Sequence, residues 1–171
     1  MIKQSQWFER KFASISDNGL LLNILERLEG TPIRIKEKTK SLEEGILIFK
    51  PSNKWSVKEE IGHLCDLEPL WFGRIHDLKS GKKELRPADL SNTKTHEAGH
   101  NEQSLETLVQ TFNGERQKLM ALLFALTEAD LQKSALHPRL RTPMRIIDLC
   151  YFVAEHDDHH LARMTARIKE Q

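Results

Sequence analysis

Between Ile147 and Ile168 the side chains of Ile147, Leu149, Phe152, Val153, His156, His160, Met164 and Ile168 follow the three-and-four spacing of a helix with one buried face. A run of that length and period cannot sit as a strand, whose sides alternate at every second residue. The other long segments repeat the signature. Asp17 is placed to cap a helix built on Leu21, Ile24, Leu25 and Leu28. Gly30 ends or kinks that helix, and Thr31 with Pro32 either opens a second short helix to about Leu42 or continues the first past the kink. Ser56 and Glu59 match a capping box that opens a helix through Ile61, Leu64, Leu67, Trp71, Ile75 and Leu78, with Gly81 closing it and Pro69 expected to kink it. Another helix runs from Leu105 to Leu126 on Leu108, Phe112, Leu119, Leu122 and Leu123, and the last is expected to start near Thr142 and Pro143. No stretch alternates for long enough to argue a sheet. The fold class that follows is all-α, a four-helix bundle in which residues 82–103, polar and weakly periodic, form a long crossover between the second and third main helices.

A chain of 171 residues fits a single domain with a real core, and residues 1–16 read as an N-terminal extension of it. Lys and Arg number 26 against 25 Asp and Glu, a net charge of +1. No strong field recruits nucleic acid or an anionic membrane, so neither partner is expected. Cys65 and Cys150 lie inside apolar-periodic segments without CxxC spacing and read as reduced core thiols. The N-terminal "MIKQSQWFERKF" lacks an apolar stretch, and no run approaches the roughly 18 apolar residues of a spanning helix. A cytoplasmic protein is the expectation. Trp55, Trp71 and the phenylalanines at helical spacing read as core.

Three of the eight histidines fall within "VAEHDDHHLARM", Val153–Met164. Helical residues four apart lie about 40° apart around the axis, so His156 and His160 share the apolar face, while His159 sits at its edge and Asp158 on the far, solvated side. Burying two imidazoles without partners costs on the order of 1 to 3 kcal/mol each, and a shared cation removes that cost. His63, within "EEIGHLCDLE", borders the buried face of another helix and can complete a three-histidine set with a coordination position left open. Glu60 and Asp66, three residues to either side of His63, could orient it or serve as base; as solvated charges they would do neither. "HEAGH", His96 to His100, formally matches the zinc-protease pattern HExxH. Its polar flanks and Gly99 argue against a buried helix, so His96, Glu97 and His100 read as a crossover segment lying over the bundle mouth, where it contributes to substrate choice. His76 is expected at the surface and His137, before a proline, in a turn without a ligand role. Cys65, about 200° from His63 on the wheel, is a poor ligand.

Taken together, "KWSVKEEIGHLCDLE", "HNEQSLETLVQTF" and "LHPRLRTPMRIIDLCYFVAEHDDHHLARM" resemble the DinB/YfiT-like superfamily, over residues from about Leu20 to Ile168. The resemblance implies an up-down-down-up bundle, often dimeric, that binds nickel or zinc through three histidines. These map onto His63 in the "GHLxDxE"-like stretch and onto His156 and His160. It implies a metal-dependent hydrolase, or a transferase that adds a low-molecular-weight thiol to an electrophile. Many members follow the second histidine of the pair with Arg-Gly-Gln, where this chain has Leu161, Ala162 and Arg163, which bears on substrate or thiol identity. The expected function is therefore an enzyme acting on a small molecule, with a divalent cation activating water or a thiol. The alternative is a non-catalytic metal-binding bundle serving as a dimerisation or stress-response module.

Overall fold

The computed structural model describes residues 3–52 and 54–170. The helices are α1 (Leu21–Thr39), α2 (Glu44–Ile48), α3 (Val57–Lys79), α4 (Thr93–Glu97), α5 (Leu105–Phe124), α6 (Glu128–Leu131) and α7 (Ile146–Lys169). The strands β1 (Ser134–Leu136) and β2 (Pro143–Arg145) pair antiparallel, with Ala135 opposite Met144.

Four long helices make the bundle, and their side-chain contacts give its topology. Arg27 reaches Asp158 and Lys38 reaches Thr165, so α1 and α7 run parallel. Lys58 meets Gln103 and Glu68 meets Arg116, so α3 and α5 are parallel as well. Glu60 meets His160 while Trp71 meets Phe152, which sets α3 antiparallel to α7. The order is up-down-down-up, as the resemblance implied. Two parallel neighbours cannot be joined by a short turn, and the crossover from Ser80 to Ser104 supplies the return path.

The helix ends follow local chemistry. Ser56 Oγ accepts the Glu59 amide at 3.1 Å while Glu59 accepts the Ser56 amide at 2.9 Å, the reciprocal cap expected for α3. Asp17 caps a short 3-10 turn that leads into α1. α1 continues through Gly30 and Pro32 as one helix. Pro32 has no amide for the Leu28 carbonyl, and Arg116 Nη1 donates to that oxygen instead at 2.8 Å. Pro69 likewise lies within an uninterrupted α3.

Several expectations are corrected. The last helix starts at Ile146, not at Thr142 or Pro143, because Pro143–Arg145 pairs with Ser134–Leu136 and Asp148 then caps the Arg145 amide at 2.9 Å. Within the N-terminal extension, Trp7, Phe12 and Ile15 pack on the core, and the Ile15 amide donates to Asp148 at 2.7 Å. Phe8, Phe49, Phe72 and Phe124 are exposed rather than core, whereas Phe112 and Phe152 are buried. Asp158 is only half-exposed, holding Arg27 and Arg34.

Two apolar clusters fill the bundle, one around Leu28, Trp71, Leu119 and Val153 and the other around Ile35, Leu64, Phe112 and Leu161. A polar layer separates them. Arg116 of α5 donates to Glu68 of α3 at 2.7 Å and to Asp157 of α7 at 2.6 Å, and Asp157 also accepts from Thr31 of α1 at 2.9 Å. All four residues are at most 1 % exposed, and each comes from a different helix.

Candidate metal centre

On either side of Asp157, the imidazoles of His156 and His160 project from α7 toward His63 of α3. Each of the three offers a nitrogen, and these atoms all lie within 4.8 Å of one another. Their partners show which nitrogen is free. Thr95 of α4 donates its hydroxyl proton to Asp66 at 2.9 Å, so its oxygen accepts from His63 Nδ1 at 3.1 Å and Nε2 keeps its lone pair. His160 Nδ1 lies 2.5 Å from Glu60 Oε2, and its Nε2 faces His156 Nε2 at 3.1 Å. His156 Nδ1 is buried with no hydrogen-bond partner among the described residues. Two imidazole nitrogens directed at one point, beside a third with a free lone pair, are a set that could hold a divalent cation.

The electrostatics agree. Burial, reinforced by His160, pushes His63 down to about 3; burial and then Arg163 push His160 to about 3. His156 is held well below the usual imidazole range, first by burial and then by the two other histidines. All three are neutral near pH 7, the protonation state in which imidazole ligates. Burial lifts the Glu60 carboxyl to about 7, against the pull of Arg163, which it meets at 2.7 Å.

Sequence reasoning placed Glu60 and Asp66 beside His63, and both are found behind the imidazoles. Glu60 holds His160, while Asp66 reaches His63 through Thr95; neither lines the adjacent cavity. Such carboxylates fix ring orientation and tautomer at metal sites. HEAGH is not a second ligand set among the described residues. Its His100, buried, donates from Nε2 to Asp66 Oδ2 at 2.9 Å and thereby braces the Thr95 relay. Gly62 makes this possible, because a Cβ there would lie 2.2 Å from the His100 ring.

The three histidines form part of the wall of a cavity of about 270 Å³. Other walls escaped the sequence reading. Trp55 stands 4.6 Å from the His63 ring and Trp7 4.9 Å from that of His156. His159 faces the cavity too, neutral with a pKa pushed to about 4, mainly by burial. His137, read as a turn residue, is buried in the wall, and the crossover residues Pro87–Leu90 and Asn92 cover one side. A tryptophan before a capping box is the one local hint, since Trp55 immediately precedes Ser56.

The sequence pattern of the DinB superfamily matches residues 16–164, most of the chain. The chain belongs to the DinB superfamily. No curated protein matches it. Among solved structures, YfiT from Bacillus subtilis superposes with a TM-score of 0.83 over 95% of this chain and 93% of its own, at 17% sequence identity. That protein is described as a probable metal-dependent hydrolase with an unusual four-helix bundle topology. At this identity the likeness establishes the fold, which the contacts above derive independently.

Proposed function

We propose that this DinB protein is a metal-dependent hydrolase of a small molecule, with His63, His156 and His160 as the ligands of one divalent cation. The observation that carries the reading is the convergence of three buried, neutral imidazoles on the wall of a cavity. Three protein ligands leave a position for water or substrate, whereas a closed structural site takes four. A bound cation would lower the pKa of water to about 7 and polarise a substrate oxygen.

The chain's own residues do the rest. Glu60 and Asp66, the latter through Thr95, keep the protons of His160 and His63 on Nδ1 and aim Nε2 forward. Trp7, Trp55, Trp71 and Phe152 give the cavity an apolar wall for the body of the substrate. His159, a neutral imidazole, lines the same cavity beside the three ligands. Zinc and nickel both suit an all-imidazole set. A low-molecular-weight thiol in place of water would give the transferase form of the reading. Water is favoured, because about 270 Å³ lies at the small end for ligand sites and lodges one small substrate better than a substrate with a thiol. Arg163, standing where many members carry glutamine, is committed to Glu60 and to the Trp55 face. The homodimer implied by the resemblance belongs to this proposal, with sedimentation velocity as its readout, as does a cytoplasmic location. No helix among the described residues is long and apolar enough to cross a membrane.

Elemental analysis of protein purified without chelator tests the centre. About one zinc or nickel per chain is expected, lost in His63→Ala and in His156→Ala. Metal content untouched by both substitutions would refute the ligand set. Turnover of ester and amide panels, with metal-depleted protein as blank, separates hydrolase from a non-catalytic bundle, and added thiol with an electrophile separates the transferase.

A further inference from the structure

The cavity carries two arginines that the metal centre does not use. Arg74, on α3, is 2 % exposed, yet no carboxylate pairs with it among the described residues. Its Nε donates to the Arg86 carbonyl at 3.0 Å and its Nη1 lies 3.2 Å from His137 Nε2. Asp77, three residues on, is held by Arg86 at 2.9 Å and Lys82 at 2.8 Å. The Arg139 guanidinium lies over the Phe8 ring, 5.3 Å from its centroid, and makes one long hydrogen bond, Nη1 to the Phe8 carbonyl at 3.4 Å, while its buried Nη2 has no hydrogen-bond partner among the described residues.

His137 stands between them, and its protonation exposes a conflict. Nδ1 accepts the amides of Arg139 and Leu140, each at 3.2 Å, so the neutral ring carries its proton on Nε2. That N–H then faces the Arg74 Nη1, itself only a donor, at 3.2 Å. Two donors meet with no acceptor between them. Burial holds Arg74 down to about 10 against the pull of Asp77, and the charges of Arg139 and Arg86 add to the lowering. Among the described residues the cavity wall has one carboxylate, Asp89, which is taken up by Ser91 and by the Thr93 amide in its own turn.

We propose that Arg74, His137 and Arg139 form a subsite for an oxyanion, the carboxylate or phosphate of the substrate, so that the DinB cavity takes small acidic molecules. An anionic oxygen placed there accepts from Arg74, from His137 Nε2 and from Arg139 Nη2, which resolves the donor conflict and neutralises the facing charges. The aromatic walls receive the apolar body, and the three histidines meet its reactive group. Calling the ligand a substrate rests on the hydrolase reading; the anion subsite stands without it.

All three tryptophans of the chain line this cavity, so intrinsic fluorescence reads its occupancy directly. Phenylacetate, phenyl phosphate and the neutral phenylacetamide are titrated into the protein as purified and into His156→Ala. At least one anion should bind about tenfold or more tighter than the amide, and which one does so tells carboxylate from phosphate. Arg74→Gln and Arg139→Gln should each weaken it about tenfold or more, with circular dichroism unchanged; Arg139, half-exposed, serves should Arg74→Gln fail to fold. His156→Ala should retain the anion preference. Anions no tighter than the amide, or unaffected by Arg139→Gln, overturn the subsite. Loss of the preference in His156→Ala also overturns it, assigning the anion to the metal centre. An intact anion preference in parent protein purified without chelator that elemental analysis finds to hold no metal would leave the subsite standing and refute the hydrolase reading alone.

Discussion

Replacing Arg116 with methionine keeps its bulk and removes its charge, leaving Glu68 and Asp157 buried with no cation and the Leu28 carbonyl with no donor. Breaking a buried ion pair from one side costs about 3 to 5 kcal/mol. The ceiling is set by protonation, since a buried carboxylate can neutralise itself. Raising a pKa from about 4 to the solution pH of 7 costs about 4 kcal/mol for each carboxylate, at 1.36 kcal/mol per unit. At pH 5 the same step is about one unit, or about 1.4 kcal/mol each. The variant's native state therefore binds more protons than its unfolded state between those pH values, and its stability falls as pH rises. Urea unfolding at pH 7 should show Arg116→Met about 4 kcal/mol or more less stable than the parent, with the deficit shrinking by about 2 kcal/mol or more at pH 5. Replacing Glu68, Arg116 and Asp157 together by leucine, methionine and leucine should recover most of the loss. A deficit near or below about 1 kcal/mol, or one independent of pH, would show that the layer is not the charged network described.

Thr95→Val cuts the relay from Asp66 to His63 without touching a ligand; metal affinity should fall about 10 to 100-fold in competition with a chromophoric chelator. Gly62→Ala should expel His100 from its seat, giving a similar loss of affinity and a new solvent-exposed imidazole visible by NMR titration. Asp77 is held far below the usual carboxylate range, chiefly by Arg86, so its contribution to stability is present above pH 4 and lost as pH falls further. The melting-temperature gap between parent and Asp77→Asn should accordingly narrow on acidification, and a gap that widens would contradict the pairing. Burial pushes both Cys65 and Cys150 up to about 12. Iodoacetamide at pH 8 should therefore label neither in the native protein and both in urea, as read by mass spectrometry.

What was legible in the sequence was local or periodic. The i, i+4 placement of His156 and His160 on an apolar stripe, and the reciprocal signature of Ser56 and Glu59, depend on residues within one or two turns. Contacts between distant segments were not legible. Pro32 looked like a boundary because the donor that rescues the Leu28 carbonyl comes from α5. β2 spans three residues, too few to display a period of two, so the helix seemed to begin where the strand does. His137 and Trp55 each looked like ordinary turn and core residues, since their places in the cavity wall depend on partners more than sixty or about a hundred residues away.

The polar layer and the candidate site answer the same packing problem. A bundle of this girth with a continuous apolar core would let α3 and α7 slide by a turn at little cost, because leucines one turn apart are nearly equivalent. Arg116 reaches across the bundle centre and ties Glu68 to Asp157, so such a slip would strand two buried carboxylates. Glu68 lies five residues after His63 and Asp157 directly follows His156. The register that satisfies the arginine is therefore the one that brings the three imidazoles together. Arg116→Met should, on this argument, lose metal before it loses helix: chelator competition should show weakened binding at urea concentrations where far-UV circular dichroism is still native. Parallel loss of the two signals would mean that the layer supports the fold alone and that the histidines find their register from the helix ends.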